Sequence, residues 1–288
     1  MTNAHQVGDD AMTLHRDAMT RTVSADGVDY AYRQLGPDNG VPVIFLTHLA
    51  AVLDNWDPRV VDGIAAQHRV ITFDSRGVGA STGSTPKTIE AMAHDAVAFI
   101  RALGFDQVDL LGFSMGGMIA QVIARDHPRL VRKMILAGTG PAGGEGITRV
   151  TRLSHLDTIR GLLTFTDPKQ YLFFTRTANG RQAGKEFLAR LKERKDNRDK
   201  SISPRSYLSQ LKAIGRWGRQ QPADLTVIHL PVLIVNGDND RMVPTKNSVD
   251  MAEMLPDGDL VIYPDAGHGG IFQYHDDFVA KALDFLAK

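Results

Sequence analysis

The stretch DLLGFSMGGMIAQ, residues 109–121, leaves the chain few ways to fold. An apolar, strand-like run precedes Ser114 and a helix-like run follows it, so the backbone must turn abruptly at a small polar residue. Gly112 and Gly116 lie two positions away on each side, where missing Cβ atoms let a strand and a helix approach closely. This arrangement predicts that Ser114 projects from the C-terminal edge of a parallel sheet.

Strand-like and helix-like segments alternate along most of the chain. The strand-like runs cover residues 41–48, 69–75, 107–114, 131–138, 231–237 and 259–267. Several are apolar without alternation, as in strands that are covered on both faces. A hairpin that turns at Asp26-Gly27 is predicted ahead of them. The pattern predicts an α/β fold with a mostly parallel sheet and helices on both of its faces.

One interval, residues 141–226, breaks this alternation, because it has charged helix-like segments and no convincing strand. We predict that it is a helical cap over the C-terminal edge of the sheet. The core would then comprise residues 19–140 and 227–288, and residues 1–18 would be a flexible N-terminus. A pocket for a small molecule is usually lined by apolar side chains. The candidates in the cap are Leu156, Ile159, Leu163, Phe173, Phe174 and Trp217.

The composition narrows the possible partners. Lys and Arg number 33 and Asp and Glu number 33, so the formal net charge gives no reason to expect a nucleic acid or a membrane surface. The absence of cysteine excludes disulfides, Cys-ligated zinc and a thiol nucleophile. The N-terminal residues lack the features of a secretory signal peptide. We therefore expect a cytoplasmic protein that acts on a small molecule, and the sequence indicates no oligomeric state.

Two further residues complete a candidate catalytic set. A serine hydroxyl becomes a good nucleophile when a base accepts its proton. His268 is the best candidate base, because it follows the strand-like run and small-residue loop DLVIYPDAG. Asp240, after the strand-like VLIVNG, is the preferred carboxylate to orient the imidazole, with Asp238 as the alternative. The chain order Ser114, Asp240, His268 is typical of a serine on a strand-to-helix turn.

At these residues the sequence resembles the α/β-hydrolase superfamily, and 3-oxoadipate enol-lactonases and haloperoxidase-like members in particular. The motifs are GFSMGG around Ser114, GDNDRMVP with Asp240, DAGHGG with His268 and FDSRGVGAS at 73–81. The resemblance extends over about residues 20–288. It implies the α/β-hydrolase fold, with a helical cap inserted before the last two strands, and a Ser-His-Asp mechanism that needs no metal and no organic cofactor.

The resemblance also implies an oxyanion hole made of two backbone amides. The Met115 N–H, directly after the serine, would be one of them. The family pattern for the other begins with His-Gly, but this chain has His48-Leu49. Aligning LTHLAAVLDNWDP without a gap with the Asn-Ser-Leu-Gly segment of 3-oxoadipate enol-lactonases makes Leu49 the donor, which we favour. Matching His48 to the family histidine makes Ala50 the alternative donor.

The predicted function is hydrolysis of a carboxylic ester or lactone of a small molecule through an acyl-enzyme. Similar triads also support cofactor-free haloperoxidase or perhydrolase chemistry and the hydrolysis of C–C bonds, so these remain alternatives. A ligand receptor that keeps the fold is an alternative of another class. The residues predicted to contact substrate are His48, Phe113, His155 and Trp217.

Overall fold

The computed structural model describes residues 13–288, so the first twelve residues of the predicted flexible segment lie outside the described residues. Within this range, eight strands form one sheet: β1 (Arg21–Ala25), β2 (Val28–Leu35), β3 (Val43–Leu46), β4 (Val70–Phe73), β5 (Val108–Phe113), β6 (Val131–Ala137), β7 (Val232–Gly237) and β8 (Gly258–Tyr263). The α-helices of the same range are α1 (Pro58–Ala65), α2 (Ile89–Ala102), α3 (Met115–Asp126), α4 (Val150–Thr164), α5 (Lys169–Phe173), α6 (Ala178–Arg190), α7 (Pro204–Trp217), α8 (Lys246–Met254), α9 (Gly270–Gln273) and α10 (His275–Ala287). None of these helices is long and apolar enough to cross a membrane.

The sheet has the strand order β1-β2-β4-β3-β5-β6-β7-β8. The first two strands form the predicted hairpin, and β2 pairs with β4 in the antiparallel direction. Asp26 and Gly27 have φ angles of 48° and 73°, as the favoured two-residue hairpin turn requires. All the remaining pairs are parallel, which confirms the predicted mostly parallel sheet. Their carboxyl ends therefore share one edge.

Helices cover both faces of the sheet, as predicted. Along β3, Ile44 and Leu46 pack into a core with α2 and α3. Val43 and Phe45 point to the opposite face and pack with α1 and α10. All four of these side chains are buried, because successive residues of a strand face opposite sides and both sides are covered.

Between β6 and β7 the chain forms four helices, α4 to α7, in the interval where the sequence predicts a cap. A buried ionic cluster fastens this helical segment to the core. Asp54 and Asp199 each accept the backbone N–H of the other, both at 2.9 Å. The fully buried Arg33 bridges the two carboxylates at 2.9 and 3.1 Å. Removing one member of such a cluster leaves an uncompensated charge, which typically costs about 3–5 kcal/mol.

The residues just before β1 are packed rather than free, so the predicted flexible N-terminus, residues 1–18, is too long at its C-terminal end. His15 and Ala18 are buried. The His15 N–H donates to Asp62 at 2.6 Å, and Arg194, in the loop after α6, donates to the Ala18 carbonyl at 2.9 Å. These contacts are with residues distant in sequence, which a local pattern of polar residues does not reveal.

Candidate active site

Ser114 lies at the junction between β5 and α3 in a strained backbone conformation. Its φ and ψ angles are 55° and −116°, a combination that L-residues rarely adopt. The Ser114 N–H donates to the Ala137 carbonyl at 2.9 Å, and its own carbonyl accepts the Thr139 hydroxyl at 2.7 Å. The surrounding strand and loop therefore hold the junction in place. A residue in such a backbone conformation typically lowers the free energy of unfolding by about 1–3 kcal/mol.

Gly112 and Gly116 allow the close approach on which this turn depends. A Cβ atom on Gly116 would lie 1.9 Å from the Leu46 carbonyl oxygen of β3. One on Gly112 would lie 2.6 Å from the Gly116 carbonyl oxygen. Backbone atoms cannot yield to such contacts, so neither position can take a larger residue without moving α3. These contacts explain why glycines two positions before and after the serine indicate a sharp junction.

His268 and Asp240 form a buried pair at the same edge of the sheet. Asp240 follows β7 and His268 follows β8, and the Nδ1 of His268 lies 2.7 Å from the Oδ2 of Asp240. The other carboxylate oxygen of Asp240 accepts the backbone N–H groups of Met242 and Val243 at 2.8 and 3.0 Å. Because Nδ1 faces the carboxylate, Nε2 is the nitrogen left to exchange protons. Asp238 is exposed and accepts the Ala266 N–H instead.

Ser114 and His268 line one pocket of about 150 Å³ beneath the cap. Its apolar lining comes from Val150, Leu172, Phe173 and Met242. On the cap side the polar groups are the hydroxyls of Ser154 and Tyr207, which lie 2.8 Å apart, together with Thr158, Asp167 and Lys169. A mostly apolar pocket with a few polar groups is typical of a small-molecule site.

A second cavity of about 390 Å³ lies next to this pocket. Leu172 and His268 line both cavities, so they form part of the wall between them. The second cavity is also lined by Phe174, Arg241 and Asp265.

Some of the apolar cap residues predicted to line the pocket lie elsewhere. Phe173 lines the pocket and Phe174 the neighbouring cavity. Leu156, Ile159 and Leu163 are 51%, 55% and 76% exposed. The reason is helical spacing: α4 turns Val150, Ser154 and Thr158 toward the pocket, which leaves the other three on its outer face. The i, i+4, i+8 spacing places the three inward residues on one face of α4, and the sequence does not show which face turns toward the pocket.

The residues predicted to contact substrate also have different surroundings. Among His48, Phe113, His155 and Trp217, only His48 lines the pocket. Phe113 is fully buried behind it, with its ring centroid 5.0 Å from that of His268. His155 is exposed on α4. Trp217 is 2% exposed and donates from Nε1 to the Gly140 carbonyl at 3.2 Å, so it packs in the core.

His48 is a neutral side chain in this site. Burial and the nearby Lys169 ammonium lower the pKa of His48 to about 3. Its Nδ1 lies 2.8 Å from the Leu49 carbonyl oxygen, which assigns the ring proton to Nδ1. The ring therefore packs among Phe113 and Phe173 and holds the loop after β3.

The backbone amides of that loop have different partners. The Ala50 N–H donates to Oε1 of Gln210, a fully buried residue of α7, at 2.8 Å. Within residues 13–288, the Leu49 N–H donates no hydrogen bond. Met115 is the first residue of α3, where a backbone N–H has no acceptor within the helix. Gln210 carries no sequence signal of its own, because only the folded cap brings it to the loop.

Comparison with known proteins identifies the family. A family model described as alpha/beta hydrolase fold matches residues 41–273. The chain belongs to this family. A solved structure of an alpha/beta hydrolase fold protein from Chitinophaga pinensis is 39% identical to this alpha/beta hydrolase, with a TM-score of 0.89 over 94% of this chain and 98% of that chain.

Relatives with named activities are more distant from this alpha/beta hydrolase. A 2-hydroxy-6-oxononadienedioate/2-hydroxy-6-oxononatrienedioate hydrolase from Klebsiella pneumoniae is 30% identical over 244 residues, which is 81% of this chain and 80% of the relative. A non-heme haloperoxidase from Rhodococcus erythropolis is 25% identical over 283 residues, which is 93% of this chain and 99% of the relative. The predicted superfamily is confirmed.

Proposed function

We propose that this alpha/beta hydrolase is a serine hydrolase that cleaves a carboxylic ester or lactone of a small molecule through an acyl-enzyme. The observation that carries the proposal is the buried His268–Asp240 pair, whose imidazole lines the same pocket as a serine held in a strained turn. An orienting carboxylate, an imidazole and an accessible serine are the groups that acyl transfer needs.

In the proposed mechanism, the Oγ of Ser114 attacks the substrate carbonyl while Nε2 of His268 accepts the serine proton. Asp240 holds the imidazole through Nδ1 and stabilises its positive charge. The tetrahedral intermediate collapses to the acyl-enzyme, and His268 returns the proton to the departing alkoxide oxygen. A water molecule then attacks the acyl group and gives its proton to His268. The second tetrahedral intermediate collapses, the carboxylic acid leaves, and His268 returns the proton to the Oγ of Ser114, which restores the enzyme.

The Leu49 and Met115 amides are the proposed oxyanion donors. The Ala50 N–H is engaged by Gln210, and this favours Leu49 over Ala50 as the second donor. Donors of this kind act where charge develops, and losing one typically costs about a hundredfold to a thousandfold in rate.

The pocket supports a small acyl portion in the substrate. Its volume is about 150 Å³ and its lining is mostly apolar. The paired hydroxyls of Ser154 and Tyr207 offer one uncharged polar contact at the cap side.

Hydrolysis of a C–C bond is the second candidate. It is supported by the relative from Klebsiella pneumoniae and by a Pseudomonas protein of the same name, which is 28% identical over 264 residues. Lys169 also lines the pocket, and its ammonium, 3.4 Å from the Asp167 carboxylate, is the cation with which a substrate carboxylate would pair in competition with Asp167. Esters and lactones remain the preferred substrates, because the small apolar pocket and the triad-like pair require no charged group on the substrate.

A fluorophosphonate probe tests the nucleophile. We expect a covalent adduct on Ser114 by mass spectrometry, with no adduct in Ser114→Ala and normal labelling in Ser154→Ala, a second serine of the same pocket. Labelling at another residue, or none in folded protein, would contradict the covalent mechanism.

A substrate screen of wild type and Ser114→Ala then separates the candidates. Multiple turnovers of aryl esters or lactones support the proposed activity. Turnover confined to vinylogous 1,5-diketones that arise from ring cleavage favours the C–C hydrolase. Probe labelling combined with very slow turnover of every compound would favour a receptor.

A further inference from the structure

A cap residue reaches the loop that carries the proposed oxyanion donor. Gln210 is fully buried on α7, and its Oε1 accepts the Ala50 N–H at 2.8 Å. The two residues are 160 positions apart in the chain. The hydrogen bond therefore joins the helical segment between β6 and β7 to the loop after β3.

The loop needs such support, because its conformation is strained. Ala50 has a φ angle of 63°, in the left-handed region that non-glycine residues adopt at a cost. The peptide between Leu49 and Ala50 is held at both ends: Nδ1–H of His48 donates to its carbonyl oxygen, and its N–H donates to Gln210. The preceding peptide is also held, because its carbonyl accepts the Ala51 N–H at 3.3 Å. Of the four polar groups in these two peptides, only the Leu49 N–H makes no hydrogen bond within the described residues.

We propose that Gln210 is a positioning residue for catalysis, which locks this loop so that the Leu49 amide is presented to the oxyanion. The inference rests on the proposed function. Without the Gln210 oxygen, the Ala50 N–H would lose its buried acceptor, and a buried donor without an acceptor is unfavourable. The peptide would then be free to rotate and carry the Leu49 amide out of alignment. Gln210 does not itself line the pocket, and within the described residues it makes no hydrogen bond to the triad-like pair, so it acts through Ala50 and the loop.

The oxygen of Gln210 is the functional atom, since its Nε2 has no hydrogen-bond partner within the described residues. Another buried contact joins the chain just after this loop to the helical segment: the backbone N–H groups of Asp54 and Asp199 each donate to the carboxylate of the other residue. The loop is thus held at two points by the element that covers the pocket. Displacement of that element would disturb the oxyanion donor as well as open the pocket.

The test compares Gln210→Met, which removes the acceptor at similar length, with Gln210→Glu, which keeps an acceptor oxygen. Kinetics on an aryl ester are combined with inhibition by a trifluoromethyl ketone, which forms an oxyanion when a serine adds to it. We expect kcat to fall about tenfold to a hundredfold in Gln210→Met with little change in KM. This loss is smaller than the one expected when a whole oxyanion donor is removed, because the Leu49 amide is still present. Affinity for the ketone should fall in parallel, and Gln210→Glu should recover most of both.

Gln170→Met is the matched control, because Gln170 is another buried glutamine of the same helical segment and, within the described residues, its side chain donates to the Arg181 carbonyl and makes no hydrogen bond to the loop after β3. It should lower the melting temperature and leave kcat and the ketone affinity unchanged. If Gln210→Met does not fold, Gln210→Asn, one methylene shorter, removes the same contact.

A folded Gln210 variant that loses only stability, with kcat and ketone affinity intact, would overturn the inference. That outcome with normal probe labelling of Ser114 in wild type leaves the proposed function standing. Failure of labelling in wild type would instead remove the proposed function itself.

Discussion

The Oδ2 of Asp240 lies 2.7 Å from the Nδ1 of His268, and both side chains are closed to solvent. A charged imidazolium in such a site depends on its carboxylate partner, because water is not available to stabilise it. The other oxygen of Asp240 is held by two backbone N–H groups, so the carboxylate has little freedom to turn away.

Replacing Asp240 by Asn should therefore lower kcat by about 10⁴-fold, since the amide favours the wrong imidazole tautomer. Asp238→Asn is the control, because Asp238 is exposed and its Oδ1 accepts the Ala266 N–H. It should retain activity within a few-fold. Steady-state kinetics on one ester would decide the matter, and a large loss in Asp238→Asn alone would transfer the orienting role to that residue.

The strain at Ser114 predicts a trade between stability and activity. Ser114→Gly removes both the nucleophile and the steric penalty of the φ angle of 55°. Ser114→Ala removes only the nucleophile. The glycine variant should be the more stable of the two by about 1 kcal/mol, after the entropy that glycine adds to the unfolded chain. Urea unfolding of both inactive variants measures the difference, and equal or reversed midpoints would argue against strain at this residue.

His48 should make the protein less stable in acid. Its pKa is near 3 in the folded protein, whereas an unfolded chain protonates the same group near 6.5. The stability that it contributes is complete above pH 6.5 and is lost as the pH falls toward 3, at up to about 1.4 kcal/mol for each pH unit.

His48→Asn keeps an N–H donor for the Leu49 carbonyl and removes the titration. The urea midpoint of this variant should vary less between pH 6.5 and 4 than that of wild type. His155→Asn is the control, because His155 is exposed on α4. An unchanged acid slope in His48→Asn would mean that other groups cause the acid sensitivity.

Leu172 should limit the length of the acyl group. It lines both the pocket of about 150 Å³ and the neighbouring cavity of about 390 Å³, so Leu172→Ala should join them. We expect the specificity constant for octanoyl esters to rise about tenfold relative to acetyl esters, within the range that a few methylenes contribute. Leu163→Ala, on the outer face of α4 and 76% exposed, should leave the profile unchanged. Identical profiles for the two variants would place the acyl group elsewhere.

The fold and the three candidate catalytic residues could be predicted because their signals are local. The alternation of apolar runs follows from the periodicities of strands and helices, and the glycines around Ser114 report a contact between adjacent elements. Asp240 and His268 each follow a strand directly. In a parallel sheet the carboxyl ends of strands share one edge, so position in the chain was enough to bring these residues to one place.

The position of the cap in the chain could be predicted from the sequence, but which of its residues face the pocket could not. Leu156, Ile159 and Leu163 are as apolar as Val150, and only the rotation of α4 about its axis separates these three, which face solvent, from Val150, which faces the pocket. That rotation is set by packing against α7 and α5, which no local pattern contains.

By itself, the sequence determined the α/β architecture, the junction at Ser114 and the chain order of the candidate triad, because each depends on neighbours within a few residues. Only the tertiary structure decided that Asp240 rather than Asp238 meets His268, that Trp217 packs in the core and that Gln210 takes the Ala50 amide. These outcomes depend on contacts between residues far apart in the chain. Their geometry follows from how whole elements pack, and composition and spacing leave that open.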